Sequence, residues 1–297
     1  MTMTANTNRP PLNLSSELHP GYRLLRLRGV GGFGEVWEAE RASGGKHALK
    51  FLSCAGTQGG GNMELRSIQI IQALSHRHLV KIEQVWCAGV FLVIAMELAD
   101  GSLADLFDIY QTERCAGLPA SHLLPLMAQA AKALDFLNNE THLINGQHVT
   151  VQHCDINPAN ILVFGETVKL SDFSLTTMLT GPIKNHRRSG TPAYAAPEVF
   201  HGNLTNRTDQ YALAICYCRL RGGHPFPDTP SAFLPTYTHP APDLSMVTPA
   251  EQHALARALS PVPENRWPSC GDLVNELHKR TATPRSASNP YLRRARS

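Results

Sequence analysis

The sequence predicts an α+β protein in two parts: a small antiparallel sheet with one helix, up to about Glu97, and a larger, mainly helical part after it. Three observations predict this. Short runs in the first part suit strands, and Tyr22 to Leu27 alternates basic and apolar residues as a half-buried strand does. A glycine cluster, Gly29 to Gly34, separates two of the runs. Beyond it the composition shifts to Ala- and Leu-rich segments with helical spacing.

Taken in order, Tyr22–Leu27, Glu35–Glu40 and His47–Leu52 read as strands. Gly56–Gly61 reads as a flexible connection. Met63–Leu74 carries Leu65, Ile68, Ile71 and Leu74 on one helical face. Leu79–Val85 and Val90–Met96 read as strands again. In the second part, Leu123–Leu137, Thr208–Leu220, Pro249–Leu259 and Cys270–His278 read as helices, with short strands at Ile161–Val163 and Val168–Leu170. No internal repeat is present.

Composition bounds the function. The chain has 297 residues, 42% hydrophobic and 17% charged, which is ample for a large core. No apolar run approaches the roughly 18 to 20 residues needed to span a bilayer, so no integral membrane segment is expected; Val90–Ala95, the best candidate, reads as a buried strand. Met1–Pro20 lacks the apolar core of a secretory signal and reads as a mobile leader. A net charge of +3 does not suggest specific nucleic acid as the main partner. From Lys279 to Ser297 there are six Lys or Arg and no acid, so residues 280–297 read as a basic disordered tail whose partner the sequence does not name. Seven cysteines without a C-x-x-C pair predict reduced thiols, a cytoplasmic location and no Cys/His metal site.

Gly29, Gly31 and Gly34 form G-x-G-x-x-G, followed by Val36 and Trp37. Glycines let backbone N–H groups approach phosphate oxygens. A dinucleotide fingerprint needs a helix after the last glycine; here a strand follows, so the loop reads as a phosphate cover between antiparallel strands. Lys50, in His47-Ala48-Leu49-Lys50-Phe51, stands where a lysine can reach the α- and β-phosphates. It needs an acidic partner on the next helix. Glu64 is the only acid there, although a gapless comparison places Ser67 at the pairing position.

His153-Cys154-Asp155-Ile156-Asn157-Pro158-Ala159-Asn160 is the most telling stretch. Asp155 can orient an acceptor hydroxyl and accept its proton, and Asn160 can bind a metal ion. Asp172, in Ser171-Asp172-Phe173-Ser174 just after a strand, is placed to chelate a phosphate-bound metal.

In these motifs the chain resembles eukaryotic-type serine/threonine protein kinases, of the bacterial branch, from about Tyr22 to His278. Gly190-Thr191-Pro192-Ala193-Tyr194 and Ala195-Ala196-Pro197-Glu198 resemble the substrate-facing end of the activation segment, and Gly223-His224-Pro225-Phe226 follows the helix that Asp209 heads. The resemblance implies a bilobal protein-kinase fold over residues 21–279, with an N-lobe of about 21–97 and a C-lobe of about 101–279. It implies ATP and Mg2+ as cofactors, Asn160 and Asp172 as metal ligands, and protein substrates with Ser or Thr acceptors. Nucleotide-binding positions are Gly29, Val30, Gly31, Gly34, Val36, Ala48, Lys50, Glu97 and Ala99, with Met96 as gatekeeper. Thr191 resembles the threonine that favours Ser/Thr acceptors, and Arg266 the arginine that pairs with Glu198.

Three positions depart from the family. Cys154 replaces the arginine that reads an activation-loop phosphate, which predicts activity without such a phosphate. Asn157 replaces the lysine that neutralises the γ-phosphate, a loss on the order of 10²–10³ in rate for one well-placed group; Ala159 is uncharged, and Lys184, Arg187 and Arg188 are the candidate substitutes. Ser174 replaces a glycine, which predicts a stiffer turn with the metal site kept. Beside an active kinase, a pseudokinase acting as a nucleotide-binding signalling scaffold is therefore a second reading. A small-molecule phosphotransferase of related fold is a third, disfavoured by the glycine loop and the Ala196-Pro197-Glu198 segment.

Overall fold

Strands β1 (Tyr22–Gly31), β2 (Gly34–Arg41), β3 (Lys46–Ser53), β4 (Ile82–Ala88) and β5 (Phe91–Glu97) form one antiparallel sheet in the order β1-β2-β3-β5-β4. The structure is a computed structural model, and it describes residues 21–31, 34–53, 70, 72–114, 116–139, 141–144, 146–179, 190–227 and 240–281. The chain divides into two units, residues 1–61 with 81–98 and residues 62–80 with 99–297.

In the first unit, Tyr22, Leu24, Ala39, Leu49, Phe51, Val93 and Ala95 form a buried cluster, with Trp37, Trp86, Ala88 and Phe91 packed against it. Leu49 and Phe51 point into this cluster, so strand alternation turns Ala48, Lys50 and Leu52 to the opposite face. Outside the apolar cluster, Glu38 is buried beneath Arg26 at 2.6 Å and Lys46 at 2.9 Å. The Lys46 and Arg26 partners hold its carboxyl below the ordinary range against the opposing effect of burial.

In the second unit, helices α1 (Leu103–Arg114), α2 (Ala120–Asn139), α3 (Pro197–Phe200), α4 (Thr208–Leu220), α5 (Pro249–Ala258) and α6 (Cys270–Thr281) accompany short strands β6 (Gly101–Ser102), β7 (His142–Ile144), β8 (Gln147–Gln152), β9 (Ile161–Phe164), β10 (Thr167–Leu170) and β11 (Thr177–Leu179). The strands make two three-stranded sheets, β10-β9-β6 and β11-β8-β7. Helix α4 is buried almost all round, which marks it as a core helix. Helix α6 is capped from a distance: Asp135 on α2 accepts from the backbone N–H groups of Cys270 at 2.7 Å and Gly271 at 2.8 Å. Burial raises the Asp135 carboxyl nonetheless.

The expected α+β division holds, with four differences. The expected strand Leu79–Val85 begins only at Ile82. Leu79 and Val80 are buried instead in the second unit, where Val80 N–H donates to Leu170 O and Leu170 N–H to His78 O, both at 2.9 Å. Helix α1 is an addition to the expected elements: Leu103, Leu106, Phe107 and Tyr110 share its buried face, and Ser102 and Asp105 cap its start reciprocally. The β7–β8 hairpin is a second addition. Finally, α6 runs through Thr281, past the expected domain bound at 279, with Arg280 paired to Glu276 at 2.6 Å.

Of the expected helix Met63–Leu74, Ile70 and Gln72 are helical. The rest of that helix before Ile70, with Glu64 and Ser67, lies outside the described residues, as do Gly56–Gly61, the leader, Lys184, Arg187, Arg188 and the tail from residue 282.

Candidate active site

The first unit carries the glycine loop and Lys50. Strands β1 and β2 converge with Gly29 opposite Val36, Val30 opposite Glu35 and Gly31 opposite Gly34. Gly34 has a structural reason to be glycine: a Cβ there would stand 1.9 Å from the carbonyl oxygen of Phe51. Gly29 has none, since a Cβ there would meet nothing within 4 Å, so internal packing does not explain its small size. Val30 is exposed at 63%. On β3, Lys50 pairs in register with Val36 and Ile94, and Ala48 with Glu38 and Met96. Both are buried, on the sheet face away from the apolar cluster. Glu97, at the end of β5, accepts from the Lys81 N–H through its side chain at 2.7 Å.

The second unit brings Asp155 and Asn160 together. Asp155 is held by three donors. Its Oδ1 accepts from the backbone N–H and the hydroxyl of Thr191, each at 2.8 Å, and its Oδ2 accepts from Asn160 Nδ2 at 2.9 Å. Asn160 Nδ2 also donates to Asp155 O at 2.8 Å. With the amide nitrogen committed on that side, Asn160 Oδ1 faces the other way, and no hydrogen bond from the described residues reaches it. A hard oxygen left open beside a catalytic-type carboxylate suits a hard cation. No group of three or more His, Cys, Asp or Glu that could hold a metal occurs among the described residues. A divalent ion held here would therefore depend on nucleotide phosphates as well as on Asp172 and Asn160, as Mg2+ commonly does.

Asp172 follows directly on β10. Ser171 ties the two metal positions together, donating from its N–H at 2.9 Å and its hydroxyl at 3.1 Å to Asn160 O. Asp172 has left-handed backbone angles, φ 59° and ψ 70°, and its side chain caps the turn Phe173–Leu175. Phe173 is buried with its ring centroid 5.2 Å from that of His153.

Several residues to which the sequence assigns no role hold this loop. Asp209, at the start of α4, accepts from His153 N–H at 2.8 Å and Cys154 N–H at 3.0 Å. Burial pushes its carboxyl up, while His153 and the two N–H groups oppose that. Cys154 sits at φ 67°, and this left-handed residue turns the chain so that consecutive N–H groups meet one carboxylate. Burial pushes its thiol well above the ordinary range, and Asp209 and Asp155 add to this, so it is a neutral thiol, not a thiolate nucleophile. Asn157 donates to Thr191 Oγ1 at 3.2 Å and to Asp155 O at 3.3 Å, and accepts from Ala159 N–H at 3.0 Å. Past Thr191, Arg266 and Glu198 form the expected pair, bidentate at 2.7 Å through both guanidinium nitrogens, with Arg266 wholly buried. Thr208 also donates to Glu198 at 3.0 Å.

Comparison with known proteins agrees with this geometry. The family model for the protein kinase domain matches residues 22–293. The chain is 29% identical over 258 residues to CBL-interacting protein kinase 4 of Oryza sativa subsp. japonica, covering 82% of this chain and 54% of that protein. It is 28% identical over 283 residues to serine/threonine-protein kinase PknF of Mycobacterium tuberculosis, covering 88% of this chain and 56% of that one. The chain thus spans little more than half the length of these relatives. Among solved structures, the kinase domain of Mycobacterium tuberculosis PknI, in a single-substitution mutant, matches with a TM-score of 0.67 and 26% identity, over 88% of this chain and 96% of that one. From Tyr22 onward the chain belongs to the protein kinase domain family.

Proposed function

We propose that the chain is a serine/threonine protein kinase that transfers the γ-phosphate of ATP to hydroxyl groups of protein substrates. The observation that carries this is the Asp155 carboxylate, fixed by three donors from Thr191 and Asn160 within the segments that the family uses for catalysis. A preoriented carboxylate holds an acceptor hydroxyl and takes its proton as the oxygen bonds to the γ-phosphorus and the bond to the ADP oxygen breaks. Lys50 and the glycine loop bind the phosphates. Asp172 and Asn160 Oδ1 would hold Mg2+, which when bound offsets charge on the phosphates. Thr191, beside Asp155, supports the Ser/Thr preference.

The scaffold reading rests on Asn157 and Ser174, and neither residue displaces a group of the site. Asn157 reinforces the catalytic loop, and Ser174 hydrogen-bonds to Asp172. We propose further that residues 21–279 form the catalytic fold, with the leader 1–20 and the basic tail from about 280 flanking it. We also propose a cytoplasmic location. The five described cysteines are free, as a reducing compartment would leave them. No helix among the described residues is long and apolar enough to cross a membrane.

The test is transfer of label from ATP with Mg2+ to generic acceptor proteins, beside Lys50→Ala and Asp155→Asn. Transfer by the parent alone supports the enzyme. Nucleotide-dependent thermal stabilisation of the parent without any transfer supports the scaffold instead.

A further inference from the structure

The Ser174 hydroxyl donates to Asp172 Oδ1 at 2.7 Å, and the Ser174 N–H approaches the same oxygen at 3.5 Å. Ser174 is buried at 9% exposure, on the short turn that Asp172 caps. A hydroxyl-to-carboxylate bond of this length is charge-assisted and is about twice as strong as a neutral one. It sets the side-chain torsion of a residue whose backbone already sits at a left-handed φ of 59°, where few alternatives are open.

We infer that Ser174 is a positioning residue for the cation site: by engaging Oδ1 it presents the other carboxylate oxygen of Asp172 and so sets the affinity and selectivity for the divalent ion. This rests on the kinase reading above. A carboxylate with one oxygen committed favours single-oxygen coordination. Mg2+ accepts that within its strict octahedron, whereas Ca2+ readily takes both oxygens of a carboxylate. The hydroxyl therefore favours Mg2+ over Ca2+. The neighbouring ligand is fixed in the same manner, since Asn160 Nδ2 is committed to Asp155 and its Oδ1 is turned away. Each metal position thus has one polar atom engaged by the protein and one oxygen presented.

The test measures cation binding without turnover. The full chain is titrated with Mg2+, and separately with Ca2+, in the presence of a non-hydrolysable ATP analogue, and nucleotide-dependent thermal stabilisation is followed. Mn2+ binding is counted independently by its free-ion electron paramagnetic resonance signal. Ser174→Ala removes the hydroxyl and leaves the backbone restricted; Ser174→Gly removes it and frees the backbone. Both are expected to weaken apparent Mg2+ affinity roughly three- to tenfold, the scale of one hydrogen bond, and to shift the Mg2+ to Ca2+ preference toward Ca2+. A parent that shows divalent-dependent nucleotide binding alongside an Ala variant with unchanged Mg2+ and Ca2+ affinities overturns the role of Ser174 alone. Loss in the Ala variant with full affinity in the Gly variant also overturns it, because backbone stiffness would then be the controlling factor. A parent whose nucleotide binding ignores divalent ions overturns the kinase reading, and this inference with it.

Discussion

Asn157 Nδ2 donates to the hydroxyl oxygen of Thr191 at 3.2 Å, and that hydroxyl in turn donates to Asp155 Oδ1 at 2.8 Å. The relay needs a donor at residue 157 and does not need a charge. With its lone pair engaged by Asn157, the Thr191 hydroxyl directs its proton at the carboxylate. Asn157 therefore orders the loop by hydrogen bonding, where the family's usual lysine would also bring charge.

Asn157→Ala is accordingly expected to lower turnover on protein substrates by roughly ten- to a hundredfold, the equivalent of about 1–3 kcal/mol for a buried polar arrangement left incomplete. The KM for ATP should stay within about twofold, because the residues changed do not hold the nucleotide. Steady-state kinetics decides this. Turnover equal to the parent's, or a KM for ATP that rises as far as turnover falls, removes Asn157 from the role.

Gly190 lies on the other side of the same loop. It sits at φ +107°, and a Cβ there would stand 2.6 Å from Cys154 O and 3.5 Å from Asp155 Oδ1. Alanine must displace backbone that carries the catalytic carboxylate. A displacement near 1 Å can cost about a hundredfold in rate, while strain of this kind costs about 1–3 kcal/mol in stability. Gly190→Ala should therefore reduce turnover far more than it reduces the amplitude of cooperative unfolding at 25 °C. An active Gly190→Ala protein with parental kinetics would show that the contact is not transmitted to Asp155.

The site is legible in the sequence because its chemistry lies in short stretches with fixed offsets. Asp155 and Asn160 share one loop, and Asp172 follows the next hairpin, so order and spacing alone assemble them. What holds the loop is not legible. Asp209 is 56 positions from His153, and an acid at a helix start reads equally well as an ordinary cap. Two further elements do carry local signals: Asn145-Gly146 between alternating segments is a hairpin signature, and Ser102 with Asp105 is a helix start. Leu79–Val85 misleads because its apolar run continues across the division between units: Leu79 and Val80 are buried with Leu170, while Ile82 begins a strand of the first sheet.

The Arg266–Glu198 pair should dominate stability among the polar contacts of the second unit. Both side chains are buried, and the guanidinium also lies 4.9 Å from the centroid of the Tyr211 ring. Removing one partner leaves the other charged and unpaired in the core. Arg266→Ala should cost about 3–5 kcal/mol, a large part of the roughly 5–15 kcal/mol that holds a typical domain. Adding Glu198→Ala to it should cost less than the sum of the two single changes, because the stranded charge disappears. Urea unfolding of the four proteins of this cycle gives the coupling directly, and strict additivity would contradict it.

Acid sensitivity should trace in part to Glu251. This carboxylate is fully buried; it accepts from the Tyr217 hydroxyl, from Thr248 N–H at 2.8 Å and Oγ1 at 2.7 Å, and from Arg221 Nε at 3.2 Å. Burial alone would raise its pKa, but these donors outweigh it and leave the carboxyl below its ordinary value of 4.5. A carboxyl depressed in the folded state binds its proton more tightly when unfolded. Its contribution is therefore complete above about pH 4.5 and is lost as pH falls through the folded value. Glu251→Gln should be less stable than the parent at pH 7, and it should lose stability less steeply below pH 4.5, by up to about 1.4 kcal/mol per pH unit. Chemical unfolding from pH 7 to pH 3 reads both effects. Parallel stability curves for the two proteins across that range would mean that Glu251 does not carry the acid response, and that the Tyr217, Thr248 and Arg221 contacts stabilise the protonated carboxyl equally well.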